Sequence, residues 1–209
     1  MRPPVFEHHH RLLAALLFAL LLGCGSKSGD GGGGGVVTPP PPPTPTFRCT
    51  DSSVIVDTVA LKCGVHRTAD VWEIDVVIGS PTTSTDIGGF AFDLLFDPAI
   101  LEYVPDSARA GAMLFQDGDT PLLSAQIMNG DPGRLVVGIS RTGGAAGVQG
   151  MPGAYSQIMT FSMKAVPGAQ FDAVPEHLRF DRSEALDSSV QAQPIPSITF
   201  SDQLLLSVQ

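Results

Sequence analysis

The chain has 209 residues, 12 of them basic and 21 acidic, for a formal net charge of −9. That balance argues against nucleic acid and against electrostatic docking on anionic membranes. Its 43% of hydrophobic residues suffice for one sizeable core, but 23 glycines and 18 prolines are spread unevenly enough to divide the chain into segments of different character.

Residues 1–23 read as a secretory signal peptide. Arg2 and Arg11 flank an apolar core from Leu12 to Leu22, too short to span a bilayer as a helix, which needs about 20 residues. The segment ends Leu21-Leu22-Gly23-Cys24, which resembles the bacterial lipobox, in which the cysteine becomes the lipidated first residue. An ordinary signal peptide with an incidental cysteine is the alternative. His8-His9-His10 lies in the part that is removed, so a metal role there is not expected. Gly25 after Cys24 lacks the aspartate associated with inner-membrane retention, which favours the outer membrane, on its periplasmic or its surface face. Cleavage removes two of the 12 basic and one of the 21 acidic residues, leaving 10 and 20.

Residues 24–46 run through five consecutive glycines into a Pro/Thr tract. Such a composition cannot bury enough apolar surface to fold. It reads as a tether, coil in its glycine half and polyproline II in its proline half. A proline-rich ligand for a recognition domain is the sharper alternative.

Residues 47–209 are the length of one domain. With Cys24 assigned to the lipid, Cys49 and Cys63 remain as a pair in an exported chain, where a disulfide is the natural expectation. Free thiols or a metal pair are the alternatives. Strands are expected at Ser53–Leu61 and at Val71–Ile78, the latter with Trp72, Ile74, Val76 and Ile78 on one face. In Ile87–Phe96, Phe90, Phe92, Leu94 and Phe96 alternate with Gly89, Ala91, Asp93 and Leu95, the period-two mark of a strand with one strongly apolar face. Asp97-Pro98 ends it, and a short apolar run, Ile100–Val104, follows. Pro105–Leu114 has room for a short helical turn.

Further strands are expected at Leu122–Met128, at Arg134–Ser140 with Leu135, Val137 and Ile139 inward, and at Tyr155–Lys164, where broken alternation predicts a bulge near Met159–Thr160. Val174–Phe180 and Ser197–Val208 complete the set. Turns are marked by Asn129–Gly133, Gly143-Gly144 and Gly150–Gly153. Together these predict an all-β domain of about nine strands, a sandwich or barrel of antiparallel sheets.

In their order, these segments resemble the cohesin family, the jelly-roll modules of cellulosome scaffolds that serve polysaccharide breakdown. The resemblance is carried by Gly89-Phe-Ala-Phe-Asp-Leu-Leu-Phe-Asp-Pro-Ala-Ile-Leu-Glu102, with Val71–Ile78 before it and Gly133–Val137 and Gly153–Lys164 after it. It covers roughly residues 53–208 and implies an antiparallel jelly-roll β-sandwich, an architecture like that of carbohydrate-binding modules. It implies a non-catalytic binding module that docks dockerins, small helical domains that carry their own calcium, so no cofactor is expected here. It also implies an interface on one sheet face that includes the outward side of the Asp-Pro strand: Gly89, Ala91, Asp93 and Leu95. Gly89 and Ala91 stand where well-studied dockerin-binding members carry an asparagine and an aspartate, so the usual polar contacts are missing. The strip reads as flat and weakly polar, with Asp93 as its one charge, unless a loop or the C-terminus covers it.

Two other functions remain open at this point. Polysaccharide binding would need exposed aromatic rings, and Trp72 and Tyr155 are the candidates, although Trp72 reads first as a core residue. Catalysis is not expected. The mature chain has only His66 and His177, without a nucleophile elbow or Ser-His-Asp spacing. Asp117-Gly118-Asp119 lacks the run of ligands that a calcium loop needs. A structural part in an envelope assembly, without any dockerin, differs from the docking reading by partner alone.

Overall fold

The computed structural model describes residues 46–51, 53–142 and 146–209. The signal peptide, Cys24, the tether up to residue 45 and the Gly143-Gly144 turn lie outside the described residues. Thirteen strands make up most of the described chain. They are β1 (Phe47–Thr50), β2 (Thr58–Thr68), β3 (Val71–Gly79), β4 (Ile87–Phe96), β5 (Leu101–Tyr103), β6 (Arg109–Ala110) and β7 (Leu122–Met128). The rest are β8 (Asp131–Ser140), β9 (Tyr155–Ala165), β10 (Phe171–Val174), β11 (Leu178–Asp187), β12 (Thr199–Ser201) and β13 (Leu205–Val208).

Four strands in the order β11-β4-β8-β7 form one sheet. The order β12-β2-β3-β9-β5, with β6 also on β9, forms a second, and β1-β13-β10 a third. One core joins them, because alternate residues of each strand point the same way. From β4 come Phe90, Phe92, Leu94 and Phe96, from β8 Leu135, Val137 and Ile139, and from β3 and β9 Ile74, Val76, Ile78, Phe161 and Met163, all buried. This is the all-β sandwich that the sequence pattern implies, with more strands than the nine expected.

The Asp-Pro corner is the crossover between sheets. Asp97 caps the turn, its carboxylate accepting from the Ala99 amide at 2.9 Å and its carbonyl from the Ile100 and Leu101 amides at 3.1 and 3.0 Å. The chain then leaves the four-stranded sheet, and β5 pairs with β9 in the other. The apolar run after Asp97-Pro98 is therefore the first strand segment of the opposite layer.

Several boundaries differ from expectation. The strand predicted at Ser53 starts at Thr58, after Asp57 takes a left-handed conformation (φ 57°) and its carboxylate accepts from the Thr83 amide at 2.9 Å. Val174–Phe180 is not one strand. Pro175 has no amide to give a ladder and opens a 3-10 turn, Pro175–His177, so that β10 and β11 enter different sheets. Ser197–Val208 likewise divides: β12 lies parallel to β2, and β13 pairs with β1 and β10. The sandwich is thus not wholly antiparallel. The helical turn falls at Ala112–Gly118, beginning later than predicted. The β9 bulge lies one residue earlier than predicted, since Val76 and Val77 face Met159 and Gln157 and leave Ile158 as the extra residue. Both Ile158 and Met159 are buried, which explains the broken alternation.

Cys49 and Cys63 are disulfide-bonded, with Cα atoms 5.8 Å apart.

Candidate functional site

The outer face of the four-stranded sheet is built by the phase opposite to the core. Because β4 pairs with β11 and β8 in register, the outward residues fall into rows. Arg179, Leu95 and Arg134 form one, and Asp181, Asp93, Val136 and Gln126 the next. Glu184, Ala91, Gly138 and Ser124 follow, then Leu186, Gly89, Ser140 and Leu122. The four residues singled out from sequence therefore share one line down the middle of this face.

Their exposure is lower than expected. Gly89 and Asp93 are buried, and Ala91 and Leu95 half-buried. Gly89 is hemmed in by β8. A Cβ there would stand 2.6 Å from the Ile139 carbonyl oxygen and 3.0 Å from the Ser140 Cα, so no side chain fits without moving backbone. The exposed apolar surface lies on the neighbouring strands instead, with Leu122 66%, Met128 44% and Val136 40% exposed. Above Gly138 the space is open, no atom standing within 4 Å of where a Cβ would be. The C-terminal strand does not cover the strip, since β13 is engaged by β1 and β10.

Asp93 is not a lone charge. Pro132, Gly133 and Arg134 bulge out of the β7–β8 pairing, in which Ile127 faces Leu135 but Met128 faces Asp131. Arg134 then lies across β4 and β11. Its Nη1 donates to Asp93 Oδ2 at 2.6 Å and to Asp181 Oδ2 at 2.7 Å, and its Nε to Asp131 Oδ2 at 3.2 Å. One guanidinium thus gathers three carboxylates, and its donated hydrogen bonds, to Asp181 first and Asp93 next, push its pKa above the usual arginine value. The same bond from Arg134 holds the Asp181 carboxyl below the ordinary carboxylate range.

A carboxyl lowered in the folded state contributes stability above its unfolded pKa of about 3.9, and the contribution is lost as pH falls through the folded value. Asp181→Asn should therefore melt at a lower temperature than the native chain at pH 6, with the gap closing below about pH 3. Thermal melts across that range read it directly, and a gap that widens on acidification would contradict the assignment.

The other residues noted in the sequence have local partners. Asp119 accepts from Arg141 Nη2 at 2.7 Å, and Asp117 lies 3.7 Å from the same nitrogen. These two aspartates thus serve as counter-ions for a buried arginine that follows β8. Trp72 donates its indole Nε1–H to the Phe47 carbonyl at 2.8 Å and stacks on His66 at 4.6 Å. His177 pairs through Nε2 with the Asp172 carbonyl at 2.8 Å and packs edge-on against Phe171. Tyr155 sits opposite Gly79 and Trp72 opposite Met163. That is some eight residues along the sheet, about 25 Å at 3.3 Å per residue. The two rings do not make one sugar platform. Among the described residues, no group of three or more His, Cys, Asp or Glu side chains stands ready to hold a metal ion.

No family model matches the chain, and no curated protein matches its sequence. Solved structures do. The type II cohesin dyad from the adaptor ScaA scaffoldin of Acetivibrio cellulolyticus aligns over 75% of this chain and 48% of its own, at 15% identity and a TM-score of 0.50. A type II cohesin from Bacteroides cellulosolvens covers 71% of this chain and 97% of its own at 12% identity (TM-score 0.49). The cohesin of a type II cohesin-X-dockerin complex from A. cellulolyticus covers 69% and 93% at 12% identity (TM-score 0.49). At such identities the likeness is one of fold.

Proposed function

We propose that residues 47–209 form a non-catalytic module that docks another protein through the outer face of β11-β4-β8-β7, and that lipid on Cys24 holds it at the outer membrane on the 24–46 tether. The observation that carries this is a sheet face on which exposed Val136 and Met128 lie beside the Arg134–carboxylate cluster, with exposed Leu122 at the far end of β7. An apolar patch with a polar margin is the composition of a protein interface: the patch supplies burial and the charges set register. Asp93, Asp131 and Asp181 each already pair with Arg134, and this one cation against three anions leaves the cluster negative, which favours a partner with a basic margin.

The resemblance carried by the Asp-Pro strand supports a partner of the dockerin type, with calcium on the partner. Gly89 and Ala91 offer it no polar side chain, so recognition passes to β7 and β8 and to Arg179 and Glu184 at the margin. An envelope component that is not a dockerin would use the same face. Polysaccharide binding gains no support from Trp72, whose indole N–H and stacked face are already occupied.

The test is capture by the full chain in mild detergent from membrane and secreted fractions, with and without calcium chelator, against a Val136→Asp variant whose fold is checked by circular dichroism. A central contact of this kind is worth at least about tenfold in affinity, so the variant should lose most of a specific partner. Calcium-dependent capture supports a dockerin and calcium-independent capture an envelope component. Equal capture by Val136→Asp and the native chain overturns the face.

A further inference from the structure

The two edges of the docking sheet are treated differently. On β11 the edge carries Arg179, Asp181, Arg182 and Glu184, and a register shift between Asp181 and Glu184 bends it. Charge and bulges are the usual guards against strand addition. The opposite edge, β7, reads Leu-Leu-Ser-Ala-Gln-Ile-Met without a charge, proline or glycine, and stays in register from Leu122 to Ile127. Its far side has no strand partner among the described residues. In the other large sheet the end strands, β5 and β12, are three residues each.

This edge also matches itself. Turned about Ala125 and laid antiparallel, it sets Leu122 against Met128 on the outer side, Leu123 against Ile127 on the inner side, and Ser124 against Gln126. Apolar meets apolar and polar meets polar at each step, as a two-fold interface requires. A second observation lies on the inner side, where a cleft of about 350 Å³ separates β7 from the segment around Asp106–Arg109. Tyr103 lines it, and its hydroxyl is buried without a hydrogen-bond partner, the residue being only 5% exposed. A buried phenol calls for a donor or acceptor, and a strand added along β7 brings main-chain groups to that cleft.

We infer that β7 is the contact between two copies of this chain, paired antiparallel about Ala125 into a continuous eight-stranded sheet. The two-fold axis runs through the sheet, so both docking faces point the same way, with Leu122 and Met128 of the two copies side by side. A tethered pair then presents two docking faces to one partner assembly, with the gain that linked binding sites confer.

Cysteine cross-linking in intact membranes tests the pairing on the full chain. Residues directly opposite in such a pair have Cβ atoms about 4.5–5.5 Å apart, and diagonal ones about 7–8 Å, beyond easy bridging. Ala125→Cys under mild oxidation should give a species of doubled mass on a non-reducing gel. Ser124→Cys or Gln126→Cys alone should give several-fold less, and their co-expression should restore it. Comparable yields at all three positions would mean random collision and overturn the proposal. An adduct of some other mass would overturn it too, by giving the edge to a different protein. Should Ala125→Cys fold poorly, co-expression of Ser124→Cys with Gln126→Cys tests the same pairing by itself, and no gain over either variant alone would overturn it.

Discussion

Phe92→Ala is expected to cost about 3–5 kcal/mol, the range for removing a large ring from a closed core. Phe92 is 2% exposed on β4, and its ring meets Phe180 of β11 edge-on at 5.3 Å and Phe200 of β12 at 6.3 Å. Phe180 and Phe200 in turn meet at 5.2 Å. These three rings join the four-stranded sheet to the parallel strand of the opposite sheet, so a cavity at their centre loosens contacts in both layers at once. Domains are stable by about 5–15 kcal/mol in all, which puts the variant near unfolding. Urea melts of the full chain measure the loss. Phe92→Leu keeps most of the volume and should cost under half as much, and a loss below about 1 kcal/mol for the alanine variant would show that the ring cluster is not the joint. Val136→Asp supplies the contrast, since its position is exposed and its cost, about 1 kcal/mol, comes from setting a carboxylate opposite Asp93 rather than from lost packing.

The same strand shows how far the sequence could be read. Its inner phase was legible because four large side chains at period two leave no other assignment, and the Asp-Pro corner was legible because proline cannot continue a ladder. The later strands were harder. Asp181, Arg182, Ser183 and Glu184 give β11 no alternation across its bulge, and Val174 and Leu178, on either side of Pro175, look like one apolar run although they belong to different sheets. β1 is four residues beside a proline tract, without a period to detect.

On the outer face of the four-stranded sheet, the line Gly89, Ala91, Asp93, Leu95 was readable, but its neighbours were not. Arg134 lies 41 residues from Asp93 and 47 from Asp181, and only the register of three strands brings them together. Val136 did leave a signal, since the positions between Leu135, Val137 and Ile139 must point outward. The exposure of that phase depends on what covers it, and a sequence does not display that.

Removing the disulfide should act differently from removing the ring. Cys49 lies in β1, opposite Leu206 of β13, and Cys63 in β2, opposite Ile74 of β3. The bond therefore ties the small sheet to the large one. Closing a loop of about fifteen residues stabilises by about 3 kcal/mol through the unfolded chain, and for a domain of this size that is roughly 6–12 °C in Tm. Cys49→Ser/Cys63→Ser, or reductant on the native chain, should give this shift, and an unchanged Tm would contradict it. The loss should also be local in the folded state. Without the bond β1 is held by four register pairs with β13, by the Phe47 amide donating to the Ala69 carbonyl at 3.0 Å, and by Trp72 on the Phe47 carbonyl. Amide exchange should then quicken at residues 47–50 and 205–208 while β4 and β8 keep the rate set by global unfolding. That location bears on the proposed anchor. The tether joins the domain directly ahead of β1, so any pull from a lipid on Cys24 arrives at a four-residue strand. With the disulfide, the load passes into β2, whose long pairing with β3 lies inside the six-stranded sheet. Without it, the load falls on four pairs with β13, the two hydrogen bonds at Phe47 and the contacts of Asp51 with Lys62 and the Cys63 amide.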